Sequence, residues 1–548
     1  MKNLFTLLLF LPFIANAQII ITQPQQLNFG NVNVGDKDSL QLTVYNSSSQ
    51  SLTVTNVKFY TTYNDFPFSA SQTNFNIPGN GSQTIWVYFE PVHNILHNSE
   101  LVIQHNATSG VTAVDLRGQG VFPNAYYNST QNLSEQALKN ALNTRLGQGY
   151  NQRSYSQARD AMFMTIDNKK NNGQNASVNT IECVYTGYNK ASYTSRSDAQ
   201  TTSPNFNTEH TFPQGFFNQN LPMRSDIHHL FPTTNNSNSQ RGNKPFGNVV
   251  NGTAVTLGGG SFYNNNMFEP RNAQKGKTAR AMMYFVIRYQ DYSNHFSVQE
   301  ATLRSWHNTY PVDSIEIRRN NDIYAVQNNR NPFVDYPQLE ERITNFVTNS
   351  VAPQIYGLDI LQTSINFGTI ISQTPDTFNY VLVNRGNQDL IFSNFSLSDT
   401  SFLSFGSGSG VNDTIPPGED ISIAVIAETP TTFSFSETLD FNTNLVGPQS
   451  SLSIPINGQS VVVGLKENSL EQNLEIFPNP VQDRLFVRSQ ANETLMVRLL
   501  NAQGQEIQFN AIQESVNNLT FSTEHLTKGV YFLEVTDGSE RVVKRLVK

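Results

Sequence analysis

The chain has one cysteine, Cys183, in 548 residues. That excludes any intramolecular disulfide, so stability must come from packed cores and from whatever metal the protein holds. Charge is scarce as well: Lys, Arg, Asp and Glu make up 14% of the chain, and Asn, Ser, Thr and Gln fill the surface in their place. Beyond the N-terminus no stretch reaches the roughly 18 consecutive apolar residues of a membrane-spanning helix, which excludes a helical span from the mature chain. What is present suffices for buried cores, with 38% hydrophobic residues and 11% of the chain aromatic. At this length one core is not expected to organise everything, and about three or four domains are the natural number.

The chain opens on Met1-Lys2-Asn3, an apolar run from Leu4 to Ile14, and Ala15-Asn16-Ala17 before Gln18. A positive start, a short apolar core and small residues at the cleavage point predict a secretory signal peptide over residues 1–17. Cys183, in the strand-like run Thr180 to Tyr185, reads as a small buried residue, because no pattern of catalytic partners surrounds it.

An internal repeat comes next. Leu27-Asn28-Phe29-Gly30 leads to Asn46, and Ile365-Asn366-Phe367-Gly368 leads to Asn384, with the same spacing of 18 from Asn to Asn. Each copy continues with alternating apolar residues, an Ile-Pro turn (Ile77-Pro78-Gly79, Ile415-Pro416-Pro417-Gly418) and a closing Gly-Gln (Gly118-Gln119, Gly458-Gln459). Period-two alternation punctuated by Gly, Pro and Asn predicts two antiparallel β-sandwiches, over 18–121 and 354–460. The copies resemble the immunoglobulin-like modules of spindle-associated and ciliary proteins, which are also widespread in exported bacterial proteins. Neither carries a catalytic cluster, so both read as spacers.

Residues 124–350 have a different texture. Helical spacing predicts helices beginning at Ser134 and over Ser156 to Ile166, Ala279 to Tyr289 and Ile315 to Tyr324, with short strands among them and Asn235 to Asn238 as solvated loop. The segment is therefore α+β between two all-β modules. It holds 21 Lys and Arg against 16 Asp and Glu over 121–350, while the rest of the chain holds 14 against 27. A basic segment in an acidic chain suits a polyanion partner.

The last stretch, 470–548, reads as short strands separated by polar turns, with Phe477-Pro478-Asn479-Pro480 near its start and Lys544-Arg545 near its end. It resembles the C-terminal sorting domain of the type IX secretion system, with Phe477 where that motif has tyrosine. The resemblance implies passage across an outer membrane by that machinery, and a mature protein secreted or attached to the outer cell surface.

Chemistry concentrates between Glu209-His210 and Lys244. A carboxylate and an amide carbonyl are hard oxygen ligands for Mg²⁺ or Ca²⁺, and a neutral imidazole can activate water. Glu209 and Asn243 offer the ligands and His210 the base. Adjacent residues of a strand face opposite ways, so a turn or bulge is needed to aim Glu209 and His210 together. The single remote cysteine and the hard ligands argue against zinc at His228-His229.

Glu209-His210, Asp226-Ile227-His228-His229-Leu230-Phe231-Pro232-Thr233, Asn238-Ser239-Gln240-Arg241-Gly242-Asn243-Lys244, Phe268-Glu269-Pro270, Lys275-Gly276, Ala279-Arg280 and Asn329-Arg330-Asn331-Pro332-Phe333 together resemble the bacterial endonuclease I family, in family order. The resemblance implies a ββα-metal, or His-Me finger, nuclease domain over 124–350. Such a domain cuts DNA, and often RNA too, with little sequence preference. It makes His210 the general base and Glu209 and Asn243 the metal ligands. Asp226 and His228 become residues that order the site; Arg241 supports catalysis, and Arg224, Lys244 and Arg280 become phosphate contacts. Two positions depart from the family pattern: Lys277 stands where an acidic residue is expected, and Thr208 where a basic one is common. An alternative reading is a cell-surface adhesin whose inactive nuclease core only binds polyanions, and another is a nuclease specific for RNA. The expected protein is multidomain, a secreted Mg²⁺- or Ca²⁺-dependent endonuclease whose α+β domain is flanked by immunoglobulin-like sandwiches and followed by a β-sandwich sorting domain.

Overall fold

The computed structural model describes residues 20–61, 66–107, 110–290, 293–407, 409, 412–462, 469–490, 494–508, 511–515 and 517–548. The expected signal peptide lies outside the described residues. The chain divides into two compact units, one ending at Val461 and the other running from Val462 to Lys548.

The first unit holds two β-sandwiches of identical topology. In the first, one sheet orders Ile20–Gln23, Asp38–Asn46, Ser82–Phe89 and Phe68–Ala70; the other orders Gln26–Asn33, Val111–Val121, Leu96–His105, Leu52–Thr61 and Phe75–Ile77. In the second, Leu358–Ile360, Asp376–Asn384, Asp420–Ala427 and Leu403–Phe405 form one sheet, and Ile365–Ile371, Ser451–Val461, Ser434–Thr443, Leu390–Leu397 and Thr414–Ile415 the other. Among the described residues, the expectation of antiparallel sheets holds for every pair but one in each copy. The Asn-Phe-Gly strand runs parallel to the closing Gly-Gln strand, with a register break at Asn28/Asn31 and at Asn366/Gly368. Gly30 and Gly368 both sit at φ +63°, a conformation open chiefly to glycine, and each donates its N–H to the asparagine two residues earlier.

The asparagines that set the repeat spacing are structural. Asn46 and Asn384 are buried, and each donates through Nδ2 to the carbonyl of the Ile-Pro turn, Ile77 at 3.2 Å and Ile415 at 2.8 Å, and to a second carbonyl, Gln50 at 2.6 Å and Gln388 at 2.8 Å. One amide thus ties two turns together in each copy.

Between the sandwiches in sequence lies a mixed segment built on the helix Asn272–Tyr289, buried along most of its length. This helix starts seven residues before the expected Ala279, because its first turns are polar and carry no apolar stripe. Gly276 lets it approach the backbone at Tyr310 closely: a Cβ on Gly276 would stand 2.3 Å from the Tyr310 carbonyl oxygen. Helices also form at Glu135–Gly147, Tyr155–Ala161 with a wider turn to Ile166, and Ser314–Gln327. Cys183 is fully buried beside Thr233 and Ser237.

Arg280 does not serve as an exposed phosphate contact. It is 1% exposed, its Nε lies 2.7 Å and its Nη2 2.6 Å from the two oxygens of Glu316, and it donates to the Tyr310 carbonyl. A bidentate buried pair of this kind ties Asn272–Tyr289 to Ser314–Gln327.

The C-terminal unit is a pair of four-stranded sheets, Leu474–Phe477, Arg484–Ser489, Asn518–Ser522 and Ala511–Ser515 in one, Glu506–Ile507, Met496–Asn501, Val530–Thr536 and Arg541–Val547 in the other. Leu485, Val487, Leu499, Leu533 and Val535 form its core. No helix among the described residues is long and apolar enough to cross a membrane.

Two variants test these restraints. Asn384→Ala strands the Ile415 and Gln388 carbonyls, and should lower the stability of its sandwich by about 1–3 kcal/mol in denaturant titration. Arg280→Ala leaves Glu316 buried without its partner, and should cost about 3–5 kcal/mol, read the same way.

Candidate active site

Two antiparallel strands and a helix frame the site. Phe206–His210 pairs with Leu230–Thr234, placing Glu209 opposite Phe231 and His210 opposite Leu230. Asn235–Arg241 then begins a helix at once, capped by the Thr234 hydroxyl, which accepts from the Ser237 N–H. The Asn-rich tract expected as loop is therefore the first turn of a helix. The cap and the burial of Ser237 and Arg241 override the weak helix propensity of asparagine.

Strand register is unbroken to the strand's end at His210, so of the turn or bulge expected to aim the two side chains no bulge forms, and Glu209 and His210 enter different surroundings. Glu209 is 3% exposed. Its Oε1 accepts from the Tyr185 hydroxyl at 2.8 Å and forms an ion pair with Arg241, whose Nε lies 3.2 Å away. Burial pushes its carboxyl up, while Arg241 and the Tyr185 hydrogen bond pull it down; burial wins. Both neighbours occupy Oε1, which leaves Oε2 to a further positive partner. A buried carboxylate with one oxygen so left fits a hard cation, and Asn243 adds an amide oxygen of the same class. Asn243 follows the Gly242 cap of the helix, is exposed, and brings its Nδ2 to 3.5 Å from where a Cβ on Gly215 would lie, five residues beyond His210.

His210 is buried against Tyr155, Phe217 and His229, with ring centroids 5.6, 6.5 and 5.6 Å away. Its Nε2 lies 3.2 Å from the Arg224 carbonyl oxygen. A carbonyl only accepts, so Nε2 carries the hydrogen and Nδ1 keeps its lone pair. Burial, reinforced by His229, holds the imidazole well below its usual pKa, so it is neutral at physiological pH. The side chain is prepared to take a proton at Nδ1.

Around His210 stand two arginines whose Nε–H groups are buried without an acceptor, Arg159 and Arg224. Their guanidinium carbons lie 4.2 and 4.4 Å from the centre of the Tyr155 ring. Arg224 was expected here. Arg159 was not legible in the sequence, because it sits on another helix more than fifty residues upstream of His210. Lys244 is half-buried, donating to the Gln240 carbonyl at 2.8 Å beside the Tyr263 ring.

Arg241, expected as a catalytic arginine, is 1% exposed and gives its guanidinium to Glu209, the Thr211 carbonyl and the Gly242 carbonyl. Asp226 and His228 stand beneath the site. Asp226 is fully buried and accepts from Tyr284 at 2.7 Å, Tyr289 at 2.8 Å, Gln327 at 2.7 Å and the His228 N–H at 3.2 Å. These four donors draw on three separate stretches of chain. His228 contacts the Asn329 carbonyl through Nε2 at 3.1 Å, and His229 the Met223 carbonyl at 2.6 Å. Tyr185, Tyr284, Tyr289 and Gln327 carry no local signal, being 24 to 101 residues from the carboxylates they serve.

Comparison with known proteins fits this geometry. The family profile described as Endonuclease I matches residues 134–338, that described as Secretion system C-terminal sorting domain matches 475–548, and that described as Abnormal spindle-like microcephaly-associated, ASPM-SPD-2-Hydin matches 19–110. An extracellular ribonuclease of Bacillus amyloliquefaciens is 31% identical over 236 residues, 40% of this chain and 77% of that protein. Its counterpart in Bacillus subtilis (strain 168) is 28% identical over the same shares. An extracellular deoxyribonuclease of Aeromonas hydrophila is 33% identical over 124 residues, 22% of this chain and 52% of that protein. With a fold in which the matched segment carries the strand pair, the neutral histidine and the buried glutamate, this chain belongs to the endonuclease I family and is a secreted or surface-attached endonuclease bearing a type IX sorting domain.

Proposed function

We propose that the strand pair and helix around Glu209 and His210 form a ββα-metal, or His-Me finger, site that hydrolyses phosphodiester bonds of both DNA and RNA with little sequence preference. The observation that carries this reading is the orientation of His210, whose Nε2 is fixed by the Arg224 carbonyl while Nδ1 stays free and neutral. His210 takes a proton from water at Nδ1 as the water oxygen bonds to phosphorus and the bond from phosphorus to the leaving ribose oxygen breaks. Glu209 and Asn243 would hold Mg²⁺ or Ca²⁺, which supplies charge neutralisation at the phosphate and the leaving oxygen when bound. Arg224 and Arg159, each with an Nε–H lacking an acceptor, bind phosphate oxygens, and Lys244 adds charge at the rim. Arg241, Asp226 and His228 position these groups.

Both polynucleotides are included because relatives named as ribonucleases and relatives named as deoxyribonucleases both match this chain. The sandwiches over 18–121 and 354–460 are immunoglobulin-like modules carrying no chemistry of this reaction, the nuclease domain spans 124–350, and 470–548 is the sorting domain.

Incubating the purified protein with plasmid and with single-stranded RNA, each with Mg²⁺ and then with EDTA, tests the proposal. Cleavage of both that EDTA abolishes is expected; retention of DNA in gel shift without strand breaks under any divalent metal favours the polyanion-binding reading instead. His210→Ala should reduce cleavage about 10²- to 10⁴-fold with unchanged thermal stability of the fold. In contrast, Arg159→Ala should act mainly on substrate binding, raising KM and flattening the salt dependence of binding; an unchanged KM removes Arg159 from the phosphate site.

A further inference from the structure

The two sandwiches, some three hundred residues apart in sequence, meet. Val102 and Val111 of the first form one buried apolar cluster with Val381 and Val383 of the second. Beside that cluster the interface is acidic. Glu100 and Asp115 stand directly opposite each other on paired strands of the first sandwich, and Asp420 opens a strand of the second. One carboxylate oxygen from each of these three lies within 4.8 Å of the others. Like charges placed opposite on a ladder repel, so a folded interface that retains them needs a counter-charge.

Two observations point to a ligand there. Glu100, a member of this cluster, is 2% exposed, and its Oε2 has no hydrogen-bond donor. A buried carboxylate oxygen without a partner carries the full cost of desolvation. The cluster also borders a cavity of about 390 Å³, lined by Asn98, Glu100, Asp115, Arg117, Glu419 and Asp420 among others. Arg117 is the one basic residue among its described lining residues, against four carboxylates. Asn98 already bridges the two sandwiches, its Nδ2 3.4 Å from Glu419 Oε1.

We propose that Glu100, Asp115 and Asp420 bind a hard divalent cation of the Ca²⁺ class, which clamps the second sandwich onto the first. The donor set is all oxygen, which suits Ca²⁺ and disfavours zinc or copper. Glu419 and the Asn98 carbonyl oxygen are within the same cavity to extend the coordination. The clamp is separate from the nuclease site and does not depend on the reading of Glu209 and His210. Lacking a cation, burial and mutual repulsion lift Asp420 to about 7 and raise Glu100 well above the usual carboxylate range, so a shared proton is the rival counter-charge.

The test is calorimetric titration of CaCl₂ into the EDTA-stripped full chain, with thermal denaturation alongside. Glu209→Gln removes the negative charge of the metal ligand proposed for the nuclease site; Asp115→Asn/Asp420→Asn removes two of the three negative charges of the clamp without changing side-chain shape. The expected result is a Ca²⁺ isotherm and a Ca²⁺-induced rise in Tm that Glu209→Gln keeps and the double variant loses, with plasmid cleavage in Mg²⁺ unchanged in the double variant. Asp420→Asn alone should give the same loss, which guards against misfolding of the double variant. The proposal is overturned if the Glu209→Gln protein shows no Ca²⁺ isotherm, or if the variants at Asp115 and Asp420 bind Ca²⁺ as the unaltered chain does. It is equally overturned if those variants are more stable than the unaltered chain in EDTA and Ca²⁺ shifts neither, the signature of a proton in place of a metal.

Discussion

The buried carboxylate of Glu209 is the constraint on which the catalytic segment is arranged. A charge taken out of water costs several kcal/mol unless partners compensate it. Tyr185 and Arg241 both supply that compensation at Oε1, from opposite sides in sequence. Because Arg241 ends the helix that follows the second strand, the ion pair also fixes that helix against the first strand. Arg241 is thereby buried against Glu209, and Arg159 and Arg224 are the arginines that stand over the Tyr155 ring beside His210.

A second buried carboxylate, Asp226, has the equivalent role in a deeper layer. Tyr284 and Tyr289 reach it from the long helix and Gln327 from the end of Ser314–Gln327. This satisfied network anchors the turn that carries the Arg224 carbonyl, and that carbonyl selects the tautomer of His210. The line of dependence therefore runs from helix packing, through Asp226 and the turn, to the ring nitrogen of His210 that keeps its lone pair. Arg319 strengthens the same turn by donating to the Leu230 carbonyl at 2.6 Å while pairing with Asp167.

The sandwiches follow a simpler rule. Their repeated Asn, Gly and Ile-Pro positions each answer a backbone demand, so the two copies share topology down to the parallel closing strand. Their contact with each other follows no repeated motif. It is formed by Val102, Val111, Val381 and Val383 on faces that an isolated sandwich would leave in water, and it brings acidic residues together that neither copy contains alone.

The local signals were legible because they are local. Alternation and the Asn-to-Asn spacing located both sandwiches, and the order of short motifs brought Glu209, His210, Asp226 and the Arg241–Lys244 stretch into one segment. The polar start of Asn272–Tyr289 and the helix at Asn235–Arg241 were missed, since an apolar stripe marks the first only from Ala279 and a cap with burial creates the second. Sequence by itself determined which side chains could do chemistry and the type of architecture that carries them. Only the tertiary structure decided their surroundings: Arg280 and Arg241 are buried against Glu316 and Glu209, Arg159 joins His210, and His210 is left neutral with Nδ1 free. Each of those outcomes depends on desolvation and on partners far away in the chain, and none of them is written in a residue's own neighbours.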